Sequence, residues 1–399
     1  MRLMMIDHSN PGGVETVNIE VIREFLDLVE LVLFVMPAHR IAYYKKILPT
    51  SDRLVYASLE WPEESWFVLM RRLDGLVRRV DPDAPLRRRF VDLRLQQLVR
   101  THGITHCFCT WIFGEPVPDL PVPIGAMVMD LNWRFFPENF SRSTAELDGC
   151  FVHWLNEPQM IFPVSEFTLE AVQKYFPGFR APARVVPHGS TVHPLERLSL
   201  PDPPSVPLFF YPASRYRYKN HRALMAAAVI LAERGHRFEI VFTGKDTDTL
   251  VGDTPLGPDV EPTRQFYLNH RAVLSQHLRA LGFCPASTVE HYYKSCTAVV
   301  LPTLYEGFGL PLIEALGWGA RVICSDIAPF REQINRYDCA EFAEIYPAHD
   351  TDALVQCMER AILEAERYRR PAPEVIATRM GRWTWRHAAE LYLECLAAL

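Results

Sequence analysis

The run Tyr305-Glu306-Gly307-Phe308-Gly309-Leu310-Pro311-Leu312-Ile313-Glu314 follows directly on a short apolar stretch, Thr297-Ala298-Val299-Val300-Leu301-Pro302. The stretch has the length and composition of a buried strand. Gly307 and Gly309 permit a tight turn, and Pro311 suits the first turn of a helix expected over Leu312–Trp318. Strand, glycine turn and helix start gather bare N–H groups at one point, and such a point attracts phosphate or sugar oxygens. Glu306 stands at the lip of the turn and Glu314 about one turn into the helix. Two ionised acceptors so placed can grip the hydroxyls of one ligand.

Working outward, the same alternation recurs along the chain. Arg2–Ile6 reads as a strand, followed by a glycine loop through Gly12 and Gly13 and a helical pattern to Leu28. Leu31–Val35, Ile104–Phe108, Pro123–Met129, Gln159–Val164 and Ala183–Val186 continue as strands, with helices expected over Trp66–Val80 and Arg87–Thr101. Thr191–Pro207 is proline-rich and polar, the composition of a linker. Leu208–Tyr211 restarts the pattern: helix His221–Arg234, strand Glu239–Phe242, a long polar loop Asp246–Arg264, a helix over Arg271–Ala280, strand Arg321–Cys324 and helix Asp352–Ala365. Near-continuous apolar strands alternating with helices imply parallel sheets covered on both faces, with ligands held beyond the strands' carboxyl ends.

Composition narrows the classes. A chain of 399 residues, 49% hydrophobic and 23% charged, is too long for one ordinary core and too apolar for disorder. Its formal net charge of −6 speaks against nucleic acid as a partner. Nine cysteines without a framework read as thiols of a reducing compartment. The sequence enters a strand at once, with no signal-peptide pattern and no apolar run long enough to span a bilayer, so a cytoplasmic enzyme is the expectation.

Several further segments carry an ordered likeness. Asp130-Leu131 with Pro137-Glu138, Val164–Thr168, Val186–Gly189, Tyr211–Arg215 with Lys219-Asn220, Leu281–Phe283 and Trp383–Ala389 run in sequence with the Glu306–Glu314 block. Together they resemble the retaining glycosyltransferases of family 4, whose signature is E-x7-E, and in particular their mannosyltransferase members. The resemblance runs from about Asp130 to the C-terminus. It implies an α/β chain of GT-B fold: two doubly wound Rossmann-like domains facing a cleft. Residues 1–193 would form the acceptor domain, 194–371 the nucleotide-sugar domain, and 372–399 a helix packing back on the first.

The resemblance also assigns roles. Glu314 would accept from ribose hydroxyls and Glu306 from the transferred sugar, with backbone at Gly307, Phe308, Gly309 and Leu310 meeting sugar or phosphate oxygens. Arg215 and Lys219, one turn apart if helical, would stabilise the charge on the departing phosphate, with Arg217 as the alternative to Arg215. Gly12 and Gly13 would bring backbone to the donor phosphates or the acceptor, and His8 and Asn10 in the same loop would either line the acceptor pocket or serve only the turn. Asp130 would either orient a hydroxyl of donor or acceptor or simply cap a turn. Relatives carry histidine just before this aspartate, where this chain has Met129. The implied reaction is metal-independent transfer of a hexosyl unit with retention, by attack from the leaving group's own face, to a glycan or other hydroxyl. GDP-mannose is the favoured donor, with GDP-fucose, dTDP-rhamnose and UDP-sugars the others. The rival readings are a catalytically silent sugar-nucleotide-binding subunit, for which Met129 is the mark, and a synthase or phosphorylase of the same fold.

Other clusters have plainer readings. Asp246-Thr247-Asp248 has the form of a metal-binding D-x-D but opens a polar loop far from the phosphate segment, so no metal and no cofactor are expected. His102, His106, Cys107 and Cys109 offer zinc ligand types, yet strand alternation makes buried thiols the better reading. His188 is expected to be structural. Trp61 and Trp66 would serve either core packing or stacking on an acceptor sugar. The arginines from Arg71 to Arg100 lie on amphipathic helices, either solvated faces or a surface for the inner face of a membrane carrying a lipid-linked glycan.

Overall fold

The computed structural model describes residues 1–7, 13–60, 72, 85–198 and 204–399. Gly12, His8, Asn10, Trp61, Trp66 and the helix expected over 66–80 lie outside the described residues. The chain forms two units, one of Met1–Asp130, Arg142–His188 and Trp385–Leu399, the other of Leu131–Ser141 and Gly189–Thr384.

The first unit is built on six parallel strands, β1 (Arg2–Ile6), β2 (Leu31–Met36), β3 (Leu54–Ser58), β4 (His106–Cys109), β5 (Ile124–Val128) and β6 (Met160–Pro163), in the order β3-β2-β1-β4-β5-β6. Every residue of β2 and β5 is buried, as a strand covered on both faces requires. The helix Trp385–Ala397 belongs here. Its Tyr392 ring meets Phe108 at 4.8 Å and Phe162 at 5.1 Å, and its hydroxyl donates to the Val186 carbonyl. The approach is close enough that a Cβ on Gly125 would stand 2.7 Å from Leu396 and 2.8 Å from Phe162, so only glycine fits β5 there. Ala183–Val186, expected as a strand, meets β6 at one bridge position: Arg184 N–H donates to the Ile161 carbonyl and Val186 N–H to that of Pro163, but Pro163 has no N–H to return to the Arg184 carbonyl.

The second unit repeats the plan with β7 (Leu208–Pro212), β8 (Glu239–Thr243), β9 (Leu278–Ala280), β10 (Ala298–Leu301), β11 (Val322–Ser325) and β12 (Ala343–Tyr346), in the order β12-β11-β10-β7-β8-β9. Here the expected helix over Arg271–Ala280 stops at His277, and the next three residues pair with β8. The expected loop Asp246–Arg264 is also shorter than read: a helix starts at Glu261 and buries Arg264, whose guanidinium donates to the Gly252 and Asp253 carbonyls.

In the second sheet, β7 and β10 are neighbours, but the chain leaves β7 toward β8 and leaves β10 toward β11. Crossovers that part in this way open a crevice at the carboxyl ends of the two strands. The loops after β7 and β10 line it.

Candidate functional site

Hydrogen bonds from side chains and backbone tie the two loops together. After β7 the chain runs through a 3-10 turn, Arg217–Lys219, to Asn220, which adopts the left-handed conformation at φ 57° before helix His221–Glu233. The Asn220 side-chain Nδ2 donates to the Pro302 carbonyl at 3.1 Å, Leu304 N–H to the Tyr218 carbonyl at 2.7 Å, and the Tyr211 hydroxyl to the Lys219 carbonyl at 2.5 Å. This lacing brings Lys219 Nζ to 2.6 Å from Glu306 Oε1, with the side chains only 12% and 14% exposed. Two largely buried side chains so paired fix each other in place.

Beyond Glu306 the turn ends at Gly309, which has φ +100°. A Cβ there would lie 2.7 Å from the Phe330 ring, so both the backbone angle and the space call for glycine. Pro311 falls in the first turn of the observed helix Leu310–Gly317, which begins two residues before the expected start. Glu314 sits one turn in, where its Oε2 accepts from the Tyr293 hydroxyl at 2.8 Å. Burial first, and the Glu314 charge second, push the Tyr293 phenol well above its ordinary range, so it stays a neutral donor.

The other basic residues have different partners. Arg215 turns to the loop after β8, donating to Thr249 Oγ1 at 2.8 Å and lying 3.7 Å from Asp246 Oδ2. Arg217 pairs with Glu138 at 3.1 Å. Glu138 belongs to the segment Leu131–Ser141, which packs in this unit through aromatic rings: Phe135 on Tyr305 at 4.6 Å and Phe136 on Tyr218 at 5.6 Å. Leu131 N–H donates to the Tyr305 hydroxyl at 2.9 Å. Tyr305 and Tyr218 directly precede Glu306 and Lys219, so the segment rests on the residues that carry the central ion pair.

The remaining candidates fall elsewhere. Asp130 and Gly13 are in the first unit, Asp130 two residues past β5 and Gly13 at the start of helix Gly13–Leu28. His188 is buried beside Trp385 at 5.6 Å, and burial pushes it down to about 3. Cys107 and Cys109 are buried on one face of β4 with their sulfurs 3.8 Å apart. Asp248 packs against Gly282, and among the described residues no three His, Cys, Asp or Glu side chains are grouped as metal ligands. In the helix Pro85–His102, Arg88 donates to the Val117 carbonyl and Arg94 to that of Ser58, so both serve the fold. No described helix is long and apolar enough to cross a membrane.

Sequence reasoning missed Tyr293, Tyr211, Thr249 and the aromatic pair Tyr218 and Tyr305. The last two carry a signal, since each adjoins a predicted site residue. Tyr293 carries none, being 21 positions from the carboxylate it holds.

Residues 196–375 match the family model described as glycosyl transferases group 1. The serotype-specific mannosyltransferase WbdA of Escherichia coli is 30% identical over 113 residues, which is 28% of this chain and 13% of that protein. The O-antigen chain mannosyltransferase B of the same organism is 37% identical over 57 residues, 14% of this chain and 15% of that protein. The chain thus spans only a small part of the curated relatives it matches. Among solved structures, sucrose-phosphate synthase from Thermosynechococcus elongatus superposes with a TM-score of 0.68 at 16% identity, covering 100% of both chains. TarM superposes with a TM-score of 0.70 at 10% identity, covering 99% of this chain and 98% of its own. The chain therefore has the GT-B fold of these glycosyltransferases, and its residues 196–375 are similar to the glycosyl transferases of group 1.

Proposed function

We propose that the protein is a retaining, metal-independent glycosyltransferase that moves a hexosyl unit from a nucleotide sugar, GDP-mannose first, to a hydroxyl of a glycan or similar acceptor. The observation that carries this reading is the Lys219–Glu306 pair at the switch point of the second sheet, with Glu314 one turn further on. In this reading the acceptor oxygen bonds to the sugar's anomeric carbon while the bond from that carbon to the phosphate oxygen breaks on the same face. The acceptor proton passes to the departing phosphate. Lys219, with Arg215 moving to it, stabilises the charge that the phosphate gains, more strongly in the transition state than before it. Glu306 holds hydroxyls of the sugar, Glu314 those of the ribose, and the N–H groups of Phe308, Gly309 and Leu310 meet phosphate or sugar oxygens.

Mannose is favoured because two curated relatives that match segments of the chain are named as mannosyltransferases. The test is a panel of GDP-mannose, GDP-fucose, dTDP-rhamnose and UDP-glucose, scored by thermal shift and by free nucleotide released in the presence of oligosaccharide acceptors. The reading expects one donor to stabilise and turn over, with the product keeping the donor's anomeric configuration by NMR. No binding by any of them refutes it, and an inverted product refutes retention.

A further inference from the structure

The helix bearing Glu314, Leu310–Gly317, is only about two turns long, too short to be stable by itself. Whatever fixes its ends therefore fixes the carboxylate. At its C-terminal end the Arg370 guanidinium donates to the Trp318 carbonyl at 3.3 Å, the Tyr293 carbonyl at 2.9 Å and the Cys296 carbonyl at 2.6 Å. Trp318 caps the Glu314 helix, while Tyr293 and Cys296 lie at the end of helix Ala286–Ser295. One planar fork thus takes carbonyls from the negative ends of two helices at once, a task for which a lysine has the charge but not the geometry. Between the same two helices the Tyr293 hydroxyl reaches Glu314 Oε2 at 2.8 Å. The Tyr293 ring is buried edge-on against Phe210 of β7, at 5.1 Å and 88°, so the hydroxyl has little freedom to swing elsewhere.

We propose that Tyr293 and Arg370 are positioning residues for the donor: Arg370 locks the two helix ends together, and Tyr293 then pins one oxygen of Glu314, presetting the carboxylate for the ribose hydroxyls of the nucleotide. This rests on the glycosyltransferase reading above. Neither residue touches the ligand; both act through Glu314. Preorganisation of this kind shows in binding, since a carboxylate that need not be ordered on arrival costs the complex less.

The experiment titrates the full-length protein with GDP and with UDP by calorimetry, and measures donor KM and kcat, in wild type, Tyr293→Phe, Arg370→Lys, Glu314→Ala and the two double variants. For the nucleotide that wild type binds, Tyr293→Phe should weaken affinity about five- to tenfold, the size of an ordinary lost hydrogen bond. Donor KM should rise with kcat within about twofold. Arg370→Lys should weaken the same nucleotide at least about threefold. Both effects should vanish in the Glu314→Ala background. A merely structural role would lower Tm and leave these dissociation constants unmoved. Unchanged affinity in both single variants, or the same loss with Glu314 already gone, overturns the proposal and leaves the glycosyltransferase reading standing. A wild type that binds neither nucleotide nor any donor overturns both. If Tyr293→Phe does not fold, Arg370→Lys and its double variant decide alone.

Discussion

Replacing Lys219 by methionine takes the ammonium from Glu306 in a place where both side chains are mostly out of water. The two atoms are 2.6 Å apart and the side chains 12% and 14% exposed. Removing one partner of a buried pair costs about 3–5 kcal/mol. The residual exposure lets some water reach Glu306, so we expect about 2–3 kcal/mol here, a fall of about 5–10 °C in Tm for a unit of this size. Turnover should fall about 100- to 1,000-fold, the usual loss on removing a preorganised charge stabiliser. Glu306→Gln alone should destabilise similarly, because it strands the ammonium. The double variant Lys219→Met/Glu306→Gln strands neither, and its stability should return to within about 1 kcal/mol of wild type. Its turnover should not return. Thermal melts and nucleotide release, run side by side on the four proteins, separate the two roles. If activity recovers together with stability, the pair is a structural strut and the catalytic argument is wrong. Wild-type turnover in Lys219→Met would refute it outright.

Gly309→Ala should lower Tm and weaken donor binding together: the new methyl meets Phe330 at 2.7 Å on a backbone at φ +100°, at a combined cost of about 2–4 kcal/mol. An unchanged melt would contradict that geometry. His221, buried between Tyr211 and Phe242, is pushed down to about 3 by its burial. Its unfolded form takes up a proton near pH 6.5 and its folded form does not, so stability should decline as pH falls from about 6.5 toward 3, by up to about 1.4 kcal/mol per pH unit from this group. His221→Phe should flatten that limb in urea melts, and an identical slope would disprove the assignment. Turnover should persist in excess EDTA. Stimulation by Mg²⁺ or Mn²⁺ that Asp246→Ala abolishes would overturn the metal-independent reading.

Much of the architecture was legible because parallel strands covered on both faces declare themselves as short apolar runs. Leu31–Val35 and Ala298–Leu301 needed no partner to be recognised. The acidic turn was legible for a related reason, since glycines spaced around a proline describe a backbone path without tertiary information. What escaped depends on partners. Leu278–Ala280 is a strand only because β8 lies beside it, and as sequence it continues a helix. Arg264 looks like a loop arginine until its guanidinium is seen to hold the carbonyls of the loop before it. Arg215 and Lys219 read alike in sequence, yet one faces Thr249 and Asp246 and the other Glu306. Arg370 lies 56 positions beyond Glu314, and no periodicity links them.

The placement of Leu131–Ser141 has a practical consequence for anyone wishing to study half of the protein. The polypeptide changes unit at 130/131, 141/142, 188/189 and 384/385, so neither half is a single uninterrupted stretch. A fragment cut at residues 189–384 would leave behind the eleven residues that cover Tyr218 and Tyr305, baring two rings beside the ion pair and withdrawing the amide that the Tyr305 hydroxyl accepts from. Such a truncation invites self-association through that sticky patch. Supplying the missing eleven residues as a tethered peptide should cure it.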